Sequence, residues 1–130
     1  MTILVAYVPR PEGQAALEKG IEIATRNQED LMVVNATPGG PTGEPSMANV
    51  QDVDRVEKLL AGSGINATFK QFVRGKSAIE EIQDMVDSLP VSLVIIGLRK
   101  RSPVGKLLLG SVAQEILLTV SCPVMAVKAI

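Results

Sequence analysis

Short runs of continuous apolar residues alternate along this chain with longer stretches in which apolar residues recur every three or four positions. The first run, Ile3–Val8 (ILVAYV), is apolar throughout. A strand with one wet face alternates polar and apolar, whereas a strand covered on both faces does not, so this run predicts a fully buried strand. Ala16, Leu17, Gly20, Ile21 and Ala24 then fall at helical spacing. Pro11 suits the first turn of that helix, where its missing N–H has no partner to lose. Leu31–Ala36 (LMVVNA) predicts a second buried strand. Thr37–Ser46 holds three Pro and three Gly in ten residues and predicts a loop. Val50, Val53, Val56 and Leu60 mark a second helix, closed by Gly62 and Gly64. Ala67–Val73 alternates weakly and predicts a third strand. Ile79, Ile82, Val86 and Leu89 mark a third helix, which Pro90 stops. Val91–Ile96 predicts a fourth strand. From Gly110 onward Val112, Ile116, Leu117 and Val120 mark a fourth helix, and Pro123 ends it and opens a last strand, Val124–Val127.

The order is therefore βαβαβαβαβ, with no internal repeat and no second domain; residues 1–130 are expected to fold as one unit. Continuously apolar strands joined by amphipathic helices predict an α/β fold. It is a doubly wound, five-stranded, mostly parallel sheet with helices on both faces. In such a sheet a ligand lies beyond the carboxyl ends of the strands, where strand order reverses.

Composition narrows the chemistry. The only aromatics are Tyr7, Phe69 and Phe72, so the core must be built from Val, Ile, Leu, Ala and Met. A net charge of −1, with no aromatics interleaved among basic residues, argues against a nucleic-acid partner. The chain has no histidine and one cysteine, Cys122. That excludes an internal disulfide, makes a reducing compartment the natural setting, and leaves no ligand set for zinc. It also removes Ser-His and Cys-His nucleophiles. The apolar runs are too short to span a bilayer, and no basic segment precedes the first, so the expectation is a cytoplasmic protein with no membrane partner.

The segment Gly97–Ser111 (GLRKRSPVGKLLLGS) carries the main question of function. Gly105-Lys106 is not a Walker A motif, because position 100 is Lys and position 107 is Leu. No G-x-G-x-x-G follows the first strand. Gly110-Ser111 does stand at a helix start, where free N–H groups and the helix dipole favour an anion. Gly97 is expected to end the fourth strand and leave room for a ligand. Arg99, Lys100, Arg101 and Lys106 place four positive charges within eight residues. The same glycines and serine also serve as ordinary punctuation between a strand and a helix. Elsewhere, Cys122 reads as a small buried hydrophobe. Glu80, Glu81 and Asp84 read as a solvated stripe on the third helix. Asp52, Asp54, Arg55, Glu57 and Lys58 do the same on the second, with Asp54 and Lys58 able to pair at i,i+4.

The sequence resembles the universal stress proteins over nearly its whole length. The likeness rests on ILVAYV with AALEKGIEIA, on VRGKSAIEEI, and above all on the closing GSVAQEILLTVSCPVMAVK. It implies an adenine nucleotide alpha hydrolase-like fold. The family's nucleotide-binding members carry G-x2-G-x9-G-[S/T]; Gly97 and Gly110-Ser111 match, while Lys100 replaces the second glycine. The Asp that such members place after the first strand falls on Val8, followed by Pro9. The resemblance puts Ala36 against adenine. It puts Ile96, Gly97 and Arg99 beside ribose and phosphate, with Lys100 at the altered position. Gly110, Ser111, Val112 and Ala113 surround the phosphate tail. It implies ATP or AMP as ligand, with or without Mg²⁺. It also implies a homodimer through Val124, Met125, Ala126 and Val127, acting on a protein partner not identified by the sequence. The expectation is a non-enzymatic stress-response regulator, at most a slow ATPase or a kinase of its own Ser111 or Ser102. A member that binds no nucleotide and works through dimerisation and protein contacts is the alternative, favoured by Lys100 and Val8. A small nucleotidyl-transferring or hydrolytic enzyme would need catalytic groups that the chain does not offer.

Overall fold

The first apolar run becomes strand β1 (Thr2–Tyr7), with all residues from Ile3 to Tyr7 buried. A computed structural model describes residues 1–35, 48–71, 78–101, 106–108 and 111–129. The other elements are α1 (Pro11–Asn27), β2 (Asp30–Asn35), α2 (Val50–Ala61), β3 (Ala67–Gln71), α3 (Ala78–Ser88), β4 (Val91–Arg101), β5 (Lys106–Leu108), α4 (Ser111–Thr119) and β6 (Val124–Ala129). Five strands run parallel in the order β3-β2-β1-β4-β6, and the short β5 pairs antiparallel with the end of β4. The α/β, doubly wound, mostly parallel sheet read from the sequence is therefore present.

Helices cover both faces. Ile3, Val5, Tyr7, Leu31, Val33 and Ile95 point to one face and pack with Leu17 and Ala24 of α1 and Val56 and Leu60 of α2. Leu4, Ala6, Val34, Val94 and Ile96 point to the other and pack with Ile82 and Met85 of α3 and Val112 and Ile116 of α4. Successive strand residues face opposite ways, so an unbroken apolar run supplies both cores. Each fully buried Leu or Ile contributes roughly 1.5–3 kcal/mol by leaving water. That aliphatic bulk replaces the missing aromatics.

Helix boundaries follow local chemistry. Pro11 occupies the first turn of α1, as expected. The helix ends at Gln28, which takes the left-handed conformation (φ 55°) with no glycine there to mark the stop. At the start of α2, Asn49 accepts from the Asp52 amide at 2.8 Å, and the Asp52 carboxylate accepts from the Asn49 amide at 3.0 Å. This reciprocal cap satisfies two N–H groups the helix cannot. Asn49→Ala is expected to lower stability by about 1 kcal/mol in urea unfolding. An unchanged midpoint would show that solvent replaces the cap.

The boundaries of β4 and β6 differ from expectation, and that of β3 meets residues outside the described set. β3 ends at Gln71, and Phe72 and Val73 lie outside the described residues. β4 does not end before Gly97. It continues through Arg101, because Gly97 keeps its parallel register with Val127 and the next residues pair with β5. The last strand also extends past Val127, to Ala129.

Candidate functional site

Strand order reverses between β1 and β4. From β1 the chain winds outward to β2 and β3, then crosses back to β4 and on to β6. The carboxyl ends of β1 and β4 therefore flank the crevice where this fold holds ligands. Register places Val5 level with Ile95, so the end of β1 lies level with Gly97. Val8 and Pro9 leave β1 at that point. The Val8 carbonyl accepts from the Arg10 amide at 2.8 Å, and α1 begins at once.

The first turn of α1 lies directly against β4. A Cβ at Gly97 would come within 2.2 Å of the Glu12 carbonyl oxygen. A Cβ at Gly13 would overlap the Val8 carbonyl. Both glycines permit close backbone approach. The missing side chain at Gly97 therefore makes room for the first turn of α1. Beyond it, Arg99 emerges half-exposed, with Nε 3.9 Å from Oε2 of the nearly buried Glu12.

The turn of β5 also bears on the crevice. Arg99 stands opposite Ala129 of β6 and opposite Leu108 of β5. Since β6 lies on the side of β4 away from β1, β5 lies on the side of β1, just past its end. Lys100 is extended and opposite Leu107. Its backbone is an ordinary strand conformation that lysine adopts without strain. Ile96 is buried in the α3–α4 core, as is Val112, and Ala113 packs against the same cluster. The side chains of Ile96 and Val112 are thus closed to solvent, while Ala113 is partly exposed. Ser111 opens α4. Ala36 and Gly110 lie outside the described residues.

A second polar cluster sits at the carboxyl ends of β1, β2 and β3. Asn35, 1% exposed, donates from Nδ2 to the Tyr7 carbonyl at 3.1 Å. Its Oδ1 accepts from the Ala48 amide at 2.7 Å and from Gln71 Nε2 at 3.0 Å. Gln71 Nε2 also donates to the Ala48 carbonyl at 2.7 Å. Three strand ends and the start of α2 are thus tied together. Burial pushes the Tyr7 hydroxyl above its ordinary pKa, while a hydrogen bond from Arg55 acts the other way. Arg55 in turn pairs with Asp52 at 2.7 Å. Sequence reasoning missed Glu12, Asn35 and Gln71 as site residues. A polar Asn closing an apolar run was the one readable signal.

Cys122, expected to be a buried hydrophobe, is half-buried. Burial raises the Cys122 thiol pKa, which keeps it protonated and poorly nucleophilic. Asp54 and Lys58 pair at 3.0 Å, as their spacing suggests. Glu80 and Asp84 are exposed on α3. At the sheet margin, β6 pairs with β4 alone among the described residues. Met125 and Ala126 are exposed on it, and Val124 and Val127 are half-buried. Leu118, 84% exposed, and Leu117 stand on α4.

A parallel sheet of this strand order, covered by helices on both faces, places the chain among the doubly wound α/β domains. Comparison with known proteins makes this specific. The model of the universal stress protein family matches residues 1–128. A universal stress protein of Mycolicibacterium smegmatis is 46% identical over 126 residues, covering 97% of this chain and 96% of that one. The chain belongs to the universal stress protein family. A universal stress protein structure from Archaeoglobus fulgidus is similar at TM-score 0.75 and 26% identity, covering 98% of this chain and 97% of the other. The structure of the universal stress protein from the same organism in complex with dAMP gives TM-score 0.66 at 21% identity, covering 98% and 96%. No helix among the described residues is long and apolar enough to cross a membrane.

Proposed function

We propose that this protein binds an adenine nucleotide, AMP or ATP, at the crevice between β1 and β4, and acts as a cytoplasmic stress-response regulator. The observation that carries the reading is Arg99. It stands half-exposed near the carboxyl end of β4, two residues past the level at which β1 ends. Lys100, Arg101 and Lys106 follow on the β4–β5 hairpin and add three positive charges to this segment of the sequence. α4 starts on Ser111 with Val112 anchored in the core, which holds its free N–H groups in a fixed place. A relative of the same fold is known in complex with dAMP. Val8 offers no side-chain hydrogen bond at the end of β1, so recognition there is assigned to backbone groups. Mg²⁺ would accompany ATP through its phosphates.

The regulator is proposed to be a homodimer through β6. An edge strand presents unpaired backbone groups, and here Met125, Ala126, Leu117 and Leu118 add exposed apolar surface. Enzymatic turnover is not part of the reading.

A second reading, a member that works by protein contacts alone, is favoured by two observations. Gly97 is covered by Glu12, and β4 runs on into pairing with β5. The test is mass spectrometry of small molecules released on denaturing the purified protein, followed by thermal shift with AMP and with ATP and Mg²⁺. Released or saturably stabilising nucleotide supports the first reading. An empty protein with no shift at millimolar ligand transfers the case to the second.

A further inference from the structure

We propose that Glu12 is a specificity-determining residue of the crevice: its largely covered carboxylate beside Arg99 disfavours highly charged phosphate chains and tilts selection toward a monophosphate. The inference rests on the nucleotide reading above and adds to it the charge class of the ligand.

Geometry separates the two members of the pair. Glu12 sits in the first turn of α1, right after Pro11, and its backbone is pressed on Gly97. Its side chain is 13% exposed, against 51% for Arg99. The carboxylate side chain is therefore largely covered at the start of the helix, whereas about half of the Arg99 side chain reaches solvent. At 3.9 Å between Arg99 Nε and Glu12 Oε2 the pair is loose, and the outer guanidinium nitrogens stay available to an anion. A phosphate that engages Arg99 must then share it with a largely covered carboxylate close by. Repulsion grows with ligand charge, so a free triphosphate is penalised more than a monophosphate. Lys100, Arg101 and Lys106 lie farther along the hairpin and do not remove this local carboxylate.

The test compares AMP and ATP binding, without Mg²⁺, by the wild type, Glu12→Gln and Glu22→Gln. Glutamine keeps the shape of residue 12 and deletes its charge. Glu22 is the control, an exposed carboxylate of the same helix paired with Lys19 at 2.7 Å. Glu12→Gln is expected to tighten ATP about tenfold and AMP about threefold at low salt, and the difference is expected to shrink in high salt. Glu22→Gln is expected to match the wild type. A purely structural role for Glu12 would move both ligands equally. An unchanged ATP-to-AMP ratio in Glu12→Gln, with both ligands still bound, overturns the inference and leaves the nucleotide reading standing. If none of the three proteins binds either ligand, the nucleotide reading fails and takes the inference with it. Saturable ATP binding gained only by Glu12→Gln supports both.

Discussion

Gly97→Ala is expected to destabilise the protein by about 3 kcal/mol, toward the upper end of what overpacking costs. The added Cβ would stand 2.2 Å from the Glu12 carbonyl oxygen, 2.6 Å from its carbon and 2.9 Å from its Cβ. The first two neighbours are backbone atoms of a helix, and no rotamer change moves them. The backbone at 97 is an ordinary strand conformation, in register with Val127. The penalty is therefore steric and not a matter of conformational freedom. Relief requires α1 to lift from β4, which also separates Glu12 from Arg99. Urea unfolding measures the loss, and a change below about 1 kcal/mol would show that the helix start yields easily.

Asn35→Leu is expected to cost a similar amount, about 3 kcal/mol, for the opposite reason: it fits the space but strands its partners. The Tyr7 carbonyl, the Ala48 amide and the Gln71 amide all bond to this one side chain. Each buried group left without a partner costs about 1–3 kcal/mol, partly offset by the gain of a larger apolar side chain. Aspartate would be no remedy. It retains the acceptor for Ala48 and Gln71 but turns an oxygen toward the Tyr7 carbonyl, in a site that penalises charge. Chemical denaturation gives the total, and amide exchange at Ala48 isolates the local part. A fully protected Ala48 amide in Asn35→Leu would contradict this account.

Most of the framework was legible because burial on two faces leaves a plain mark. The run Ile3–Val8 is apolar throughout and Val91–Ile96 is broken only by Ser92, and Pro11, Pro90 and Pro123 punctuate the helices between the strands. What escaped prediction depends on contacts distant in sequence. Gly97 reads as a strand terminator next to its neighbours Leu98 and Arg99. Only the fold brings Glu12, 85 residues earlier by the numbering, onto it. The three residues of β5 carry no periodicity that would separate a hairpin from a loop. Arg99 was legible as a cation in a basic segment, but its carboxylate partner was not. Asn35 and Gln71 lie 36 positions apart, and the parallel pairing of β2 with β3 places them opposite each other. Ala36 and Gly110, two of the eleven expected contact residues, lie outside the described residues.

The placement of Tyr7 gives the molecule an optical property. The chain contains one tyrosine and no tryptophan. Tyrosine emission from the folded protein therefore arises at a single address. That ring is 1% exposed, meets Phe69 edge-on with centroids 6.1 Å apart, and shares its hydroxyl with Arg55. Its own carbonyl is the group that Asn35 holds, one residue before the chain enters the crevice. Fluorescence intensity and lifetime thus report from the junction of β1, α1 and α2 without any label, and they report from nowhere else.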